Sequence, residues 1–269
     1  MLTHHQITHF RTFGYVVLPG LLSRAEADTL RAEVTSELTS AFGVLGTEPA
    51  RSAGISGDYL PLAVNRAPLS LSLIADDPRT FLASAELLGT PTVPSIGTAT
   101  CFTGDSSWHT RQGPDVGGVA FWADLGARTA ETGAIRVIPG SHLPEFERLL
   151  WQYGAIEPAA SGFEEWDWPH VVVDTEPGDV VALHLHLRMC TRGGTPRLSW
   201  TIEYLPWPGV ADQDRISAVR DLLLDDVEYD DEHYDRERWP VWREWADGAA
   251  GIESRELAAE RLRILGVLP

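Results

Sequence analysis

The 269 residues include 43% hydrophobic side chains and carry a net charge of −18, enough apolar surface for a substantial core and the wrong sign for a protein that neutralises phosphate backbones. All the basic residues are Arg, which excludes a Schiff-base lysine and the lysine of a phosphate-binding loop. Cys101 and Cys190 stand at no metal-ligand spacing, so neither a disulfide framework nor a thiolate zinc site is expected.

The amino-terminal segment lacks a basic region followed by an apolar run, and no stretch has the apolar length of a membrane span. A cytoplasmic chain with no membrane or nucleic-acid partner is expected. Its start reads as a short helix, a strand at Tyr15 to Leu18, a turn at Pro19-Gly20 and a longer helix. Ser23 is the expected N-cap of that helix, with Glu26 completing a capping box. Leu30, Val34 and Leu38 recur at helical spacing and predict a face that packs on a sheet. His4, His5 and His9 fall on the first helix, where exposure is expected.

From about 44 to 100 the composition is rich in Gly, Pro and Ser and reads as loops, with one helix at Pro78 to Leu88. Between about 97 and 205, short apolar runs at Val119 to Trp122, Ile135 to Ile138, Val171 to Val173, Val180 to Leu187 and Leu198 to Tyr204 alternate with turns such as Pro139-Gly140 and Pro177-Gly178. This predicts antiparallel strands, closed or sandwiched. The tail from 206 is acidic and mainly helical, and its carboxylate-dense run Asp225 to Asp235 reads as a solvated face. No repeat or second-domain boundary is apparent, so 1–269 is read as one domain. It comprises a helix-strand-helix over 1–43, a core barrel over about 97–205 and a helical tail over 206–269.

Three segments in this order resemble the phytanoyl-CoA dioxygenase family of iron(II)/2-oxoglutarate oxygenases. They are Phe10 with Gly14-Tyr15-Val16-Val17 and Pro19-Gly20; the run from Glu131 through Thr132-Gly133-Ala134 and Pro139-Gly140-Ser141-His142, similar to an NGxLxxxPGSH segment; and Pro177-Gly178-Asp179-Val180-Val181. The resemblance implies a mainly β fold with flanking helices, a double-stranded β-helix or cupin-like jelly roll. It also implies a pocket where His-x-Asp/Glu and a distant His hold iron and a downstream Arg pairs with 2-oxoglutarate.

Residue by residue, this sequence departs from that pattern. The segment Gly104 to Arg111 is similar to the family's GWHxD region, which sets His109 on the first ligand and Arg111 where the carboxylate belongs. A guanidinium has five donors and no lone pair for a metal. Ungapped, the third ligand falls on Met189, whose thioether is a poor donor to iron(II). A small register shift would instead bring His184 or His186 to the metal; on an extended strand these two and Arg188 share one face. Asp105 and Asp115 are alternative carboxylates at unsuitable spacing. A halogenase-like two-His site is disfavoured because Arg fills the space an anion would need. Arg197 matches the 2-oxoglutarate Arg, with Arg192 as a rival.

The leading expectation is therefore a small-molecule tailoring enzyme of bacterial specialised metabolism without the usual iron site and without a cofactor. His109, Arg111, His184 and His186 would act as acid-base or electrostatic groups, and Arg188, Arg197, Trp108 and Trp122 would contact a substrate, an anion among the candidates. Trp200 is a further expected wall residue, and Asp115 an expected salt-bridge partner of Arg111. The alternatives are an oxygenase using iron(II) and 2-oxoglutarate on His109 plus His184 or His186, and a non-catalytic binding or partner protein.

Overall fold

The structure is a computed structural model that describes residues 1–45, 56–61, 73, 76–111, 116–152, 168–193, 196–228, 246–248 and 251–268. Asp115, residues 229–235 of the acidic run and much of the expected loop region fall outside them. Helix α1 (His4–Phe13) is capped by Thr3 and Gln6 and stops at Gly14, whose φ of 81° places it in the left-handed region. Strand β1 (Tyr15–Leu18) follows, then α2 (Arg24–Phe42). Ser23 and Glu26 form the expected reciprocal box: Glu26 N–H donates to Ser23 Oγ, and Ser23 N–H to the Glu26 carboxylate at 2.7 Å. Leu30, Val34 and Leu38 are fully buried where α2 packs on the larger sheet.

The remaining elements are β2 (Ser56–Pro61), α3 (Phe81–Leu88), β3 (Thr92–Thr103), β4 (Val119–Asp124), β5 (Ile135–Val137), α4 (Pro144–Gln152), β6 (Val171–Val173), β7 (Val180–His184), β8 (Met189–Thr191), β9 (Arg197–Pro206), α5 (Gln213–Glu228) and α6 (Glu253–Ile264). All ladders are antiparallel, in a six-stranded sheet ordered β1-β7-β4-β9-β3-β2 and a three-stranded sheet ordered β6-β5-β8. The fold is thus mainly β with flanking helices, two jelly-roll sheets in the described residues.

Strand alternation divides the protein into two cores. Phe121, Ala123, Ala182, Trp200, Ile202 and Tyr204 turn from the large sheet toward the helices and join Leu30, Leu87 and Leu262 in the principal cluster. Trp122, Val181 and Leu183 turn the other way and meet Ile135, Val137, Val173 and Met189 of the small sheet. The second cluster is the jelly-roll interior, and the candidate site lies along it.

Several expectations need correction. The segment read as irregular up to residue 100 contributes β2 and most of β3, because β3 is interrupted by a register shift between Pro94 and Gly97, alternates hydroxyls with small apolar residues over Thr98 to Cys101, and carries no continuous apolar run. The helix expected from Pro78 begins at Phe81, after turn residues 78–80. The strand expected over Val180 to Leu187 ends at His184. There the ladder runs out of strand partners: β1 begins at Tyr15 opposite Leu183, Gly14 offers only its carbonyl to His184 N–H at 2.8 Å, and β4 starts at Val119 opposite His184. Residues 185–188 form a turn in which Leu187 N–H donates to His184 O at 2.8 Å. His184, His186 and Arg188 therefore do not share one strand face. No helix among the described residues is long and apolar enough to cross a membrane.

Candidate functional site

His109 sits in an isolated antiparallel bridge to Met189, exchanging backbone hydrogen bonds of 3.0 and 2.9 Å. Residues so paired project to the same face. Met189 also pairs with Val137, and both lie in the interior cluster, so the His109 ring is directed inward beside them. His109 Nδ1 lies 2.9 Å from the Ser107 carbonyl, which can only accept, so Nδ1 carries the proton and Nε2 the lone pair. Burial, reinforced by the positive charge of Arg111, lowers the His109 pKa against the opposing Ser107 hydrogen bond, and the ring is neutral at pH 7.

Two residues on, Arg111 anchors its backbone N–H on Leu185 O at 3.0 Å and turns its side chain into the interior. Its Nε donates to Glu203 Oε1 at 2.6 Å, and its guanidinium lies 5.5 Å from the centroid of the Trp122 ring. The side chains are 16% and 7% exposed, so this is a largely desolvated ion pair. Glu203 was legible only as part of an apolar strand run. Its signal was the alternation Ser199, Thr201, Glu203 opposite Trp200, Ile202, Tyr204, which aims the carboxylate at the interior.

A second polar network lies one step along the same wall. Trp122 Nε1 and Thr175 Oγ1 each donate to Asp124 at 3.1 Å. Burial raises the Asp124 pKa against these bonds and the nearby charges of Arg128 and Arg197. Arg197 is 4% exposed and gives its Nη2 to Gly104 O at 2.7 Å and Thr191 Oγ1 at 3.0 Å, and its Nη1 to Gly193 O. Gly133, with φ 94°, makes room for it: a Cβ there would stand 2.5 Å from Arg197 Cδ. The glycine of the motif thus positions an arginine more than sixty residues away.

The other expected site residues fall elsewhere. His184 lies in phase with Ala182 and faces helix α1, where its ring meets Phe10, His142 and His186 at centroid distances of 6.2, 4.9 and 5.2 Å. Burial, with the neighbouring charges of His142 and His186, lowers its pKa to about 3. Its Nδ1 accepts from His186 N–H at 3.2 Å. His142 stays with its turn, donating from Nε2 to Arg11 O at 3.3 Å. Arg188 N–H donates to Ser141 Oγ at 2.9 Å, tying the 185–188 turn to the Pro139-Gly140 turn.

The expected common aromatic wall is also corrected. Trp122 lines the interior, Trp200 belongs to the helix-side core, and Trp108 stacks on Trp168 with ring centroids 6.5 Å apart, close to His170. Strand alternation separates Trp122 from Trp200, and Trp108 lies outside the strands, just before the His109 bridge. The expected Asp115 partner of Arg111 lies outside the described residues, and Glu203 holds that guanidinium. Among the described residues no group of three or more His, Cys, Asp or Glu side chains is arranged to hold a metal ion.

The phytanoyl-CoA dioxygenase (PhyH) family model matches residues 10–188. Comparison with curated proteins finds no match. Among solved structures, the chain is similar to the non-heme alpha ketoglutarate dependent carbocyclase SnoK from nogalamycin biosynthesis, at 21% identity and TM-score 0.61, over 80% of this chain and 90% of that one. It is also similar to the epimerase SnoN in complex with Fe3+, alpha ketoglutarate and nogalamycin RO, at 19% identity and TM-score 0.59, over 75% and 82%. HygX from Streptomyces hygroscopicus, with nickel and 2-oxoglutarate bound, aligns at 20% identity and TM-score 0.56, over 77% and 88%. These likenesses establish the fold.

Proposed function

Because the chain belongs to the phytanoyl-CoA dioxygenase family, we propose that it is a small-molecule tailoring enzyme of bacterial specialised metabolism that works without the family's iron, by acid-base and electrostatic chemistry at His109 and Arg111. The observation that carries this reading is the Arg111–Glu203 ion pair set against Trp122 beside a neutral imidazole. On the reading, Arg111 and Met189 occupy the second and third ligand positions. Neither a guanidinium nor a thioether is a suitable donor to iron(II), so the residues do not fit the facial triad.

The arrangement suits abstraction of a proton next to a carbonyl. His109 Nε2 takes the proton, the C–H electron pair moves into the carbon–carbon bond, and the carbonyl oxygen gains negative charge opposite Arg111. Returning the proton at another position or face gives isomerisation. Loss of a leaving group, ring closure or carbon–carbon cleavage from the same intermediate gives elimination, cyclisation or a retro-aldol step. Arg111 contributes by being fixed before the charge develops, and removal of such a donor costs about 10²–10³ in rate. Glu203 and Trp122 supply that fixation.

A second reading retains iron(II) and 2-oxoglutarate on His109, with Arg197 for the 2-oxoglutarate, and requires His184 or His186 to turn from the α1 side of the sheet to reach the metal. It is favoured by the lone pair on His109 Nε2 and by similar structures crystallised with Fe3+ and alpha ketoglutarate or with nickel and 2-oxoglutarate. Anaerobic reconstitution with iron(II), followed by measurement of bound iron and of succinate formed from 2-oxoglutarate, separates the two. We expect neither stoichiometric iron nor succinate. One iron per chain with 2-oxoglutarate turnover that disappears in His109→Ala would overturn the first reading.

A further inference from the structure

We propose that the protein carries a second ligand site, beside α2, in which Arg31 and Arg128 bind an oxyanion group, phosphate or carboxylate, of a small molecule. The two guanidiniums converge on Gly126: a Cβ built there would lie 3.8 Å from Arg31 Nη1 and 3.7 Å from Arg128 Nη2. Apart from the adjoining residues of the chain, no other described atom comes within 4 Å of that point. Both cations are held in place. Arg31 Nη1 donates to Leu125 O at 3.0 Å, seating α2 against the end of β4. The Arg128 backbone exchanges hydrogen bonds of 2.8 and 3.0 Å with Thr175.

Arg128 supplies the pointer to a ligand. It is 9% exposed, its Nε is buried with no hydrogen-bond partner among the described residues, and its Nη1 reaches Thr132 O at 3.3 Å. Neither Arg128 nor Arg31 makes an ion pair among the described residues, in a chain where 39 acidic residues outnumber 21 basic ones. A buried guanidinium without a counter-charge is unfavourable, and a bound anion removes that cost. Asp124 does not supply the missing charge. Trp122 and Thr175 donate to it, burial raises its pKa, and it stands as one carboxylate against both Arg128 and Arg197. Asp28, one turn before Arg31 on α2, is engaged by Arg24 at 3.4 Å.

Solvent reaches this point, since Arg31 is exposed and Gly126 half-exposed. Along the same side of α2 runs a groove of about 690 Å³, lined by Arg31, Asp28 and the hydroxyl residues Thr35, Ser36, Thr39 and Ser40. That volume lies within the range of small-molecule sites. Guanidiniums are donors only, and their planar N–H forks match the paired oxygens of a carboxylate or phosphate, which sets the charged end of the ligand. The hydroxyls along α2 suit a polar remainder such as a sugar.

The test is isothermal titration calorimetry on the full chain at fixed ionic strength, with glucose 6-phosphate and glucuronate as anionic probes and glucose as the neutral control. Four variants are compared with wild type. Arg128→Gln and Arg31→Gln each remove one guanidinium. Gly126→Leu keeps both and fills the point they share; the Gly126 backbone is outside the left-handed region, so a side chain is tolerated there. Arg24→Gln removes an equal charge from α2 away from the site. We expect at least one anion to bind and glucose not to, with affinity weakened at least about tenfold in the first three variants and changed by less than about twofold in Arg24→Gln. Binding of one anion alone identifies the group as phosphate or carboxylate. Binding of neither anion, equal binding of glucose, undiminished binding in Arg31→Gln, Arg128→Gln or Gly126→Leu, or an equal loss in Arg24→Gln would each overturn the site. No turnover enters the measurement, so these outcomes are independent of the acid-base reading above.

Discussion

Replacing Glu203 by Gln keeps the shape of the side chain and an oxygen able to accept from Arg111 Nε, but removes the charge that balances the guanidinium. With N–O contact at 2.6 Å, the charge centres are separated by about 4 Å. At an effective dielectric of roughly 20, their attraction is about 4 kcal/mol, partly offset by the desolvation of both groups. The residual exposure of Arg111 places the loss at the low end of the range for breaking a buried pair, about 3 kcal/mol. Arg111→Met should cost a similar amount by leaving the Glu203 carboxylate unpaired. The double variant Arg111→Met/Glu203→Gln leaves neither charge behind and should cost about 3 kcal/mol in total, so the cycle formed with the two single variants should return a coupling near 3 kcal/mol. Urea denaturation followed by circular dichroism gives all four unfolding free energies. Additivity within about 0.5 kcal/mol would refute the ion pair as the element that holds Arg111 in place.

Acid should weaken the fold through its buried histidines. His184 titrates near 3 in the folded chain against about 6.5 unfolded, so the unfolded state binds more protons between those values and unfolding free energy falls as pH drops through that window. His109 and His142, also lowered, act in the same direction; His184→Gln should flatten the pH dependence of urea midpoints, and an unchanged slope would refute the assignment. Gly133→Ala should destabilise by at least about 1–2 kcal/mol, because φ 94° is unfavourable with a Cβ and Arg197 lies in its path. That loss is measurable as a lower melting temperature, and no loss would show that the approach relaxes freely. Ser23→Ala should cost about 1 kcal/mol through loss of the α2 cap, readable in the same assay, with no change expected in ligand binding.

Features carried by local stereochemistry were legible from the sequence. The Ser23–Glu26 capping box, strand β1, the buried stripe Leu30, Val34 and Leu38, and the turns at Pro139-Gly140 and Pro177-Gly178 all depend on a few adjacent residues or on one period. The closeness of His109 and Arg111 was legible too, because both lie in one short segment. Strand β3 was missed because a register shift interrupts it and hydroxyls alternate with small apolar residues over Thr98 to Cys101, so it lacks the apolar run that marks a strand.

What only tertiary structure decided is which side chains meet. Glu203 reaches Arg111 across a separation of 92 residues, and Gly133, in the turn before β5, clears a path for Arg197 at the start of β9. The end of β7 at His184 depends on where β1 and β4 stop offering partners, a property of neither strand alone. Alternation within the paired register turns His184, in phase with Ala182, onto Phe10 beside α1, while Trp122 and Arg111 face the interior. Composition and periodicity determine the layers of this protein; the pairing register decides the contents of its pocket.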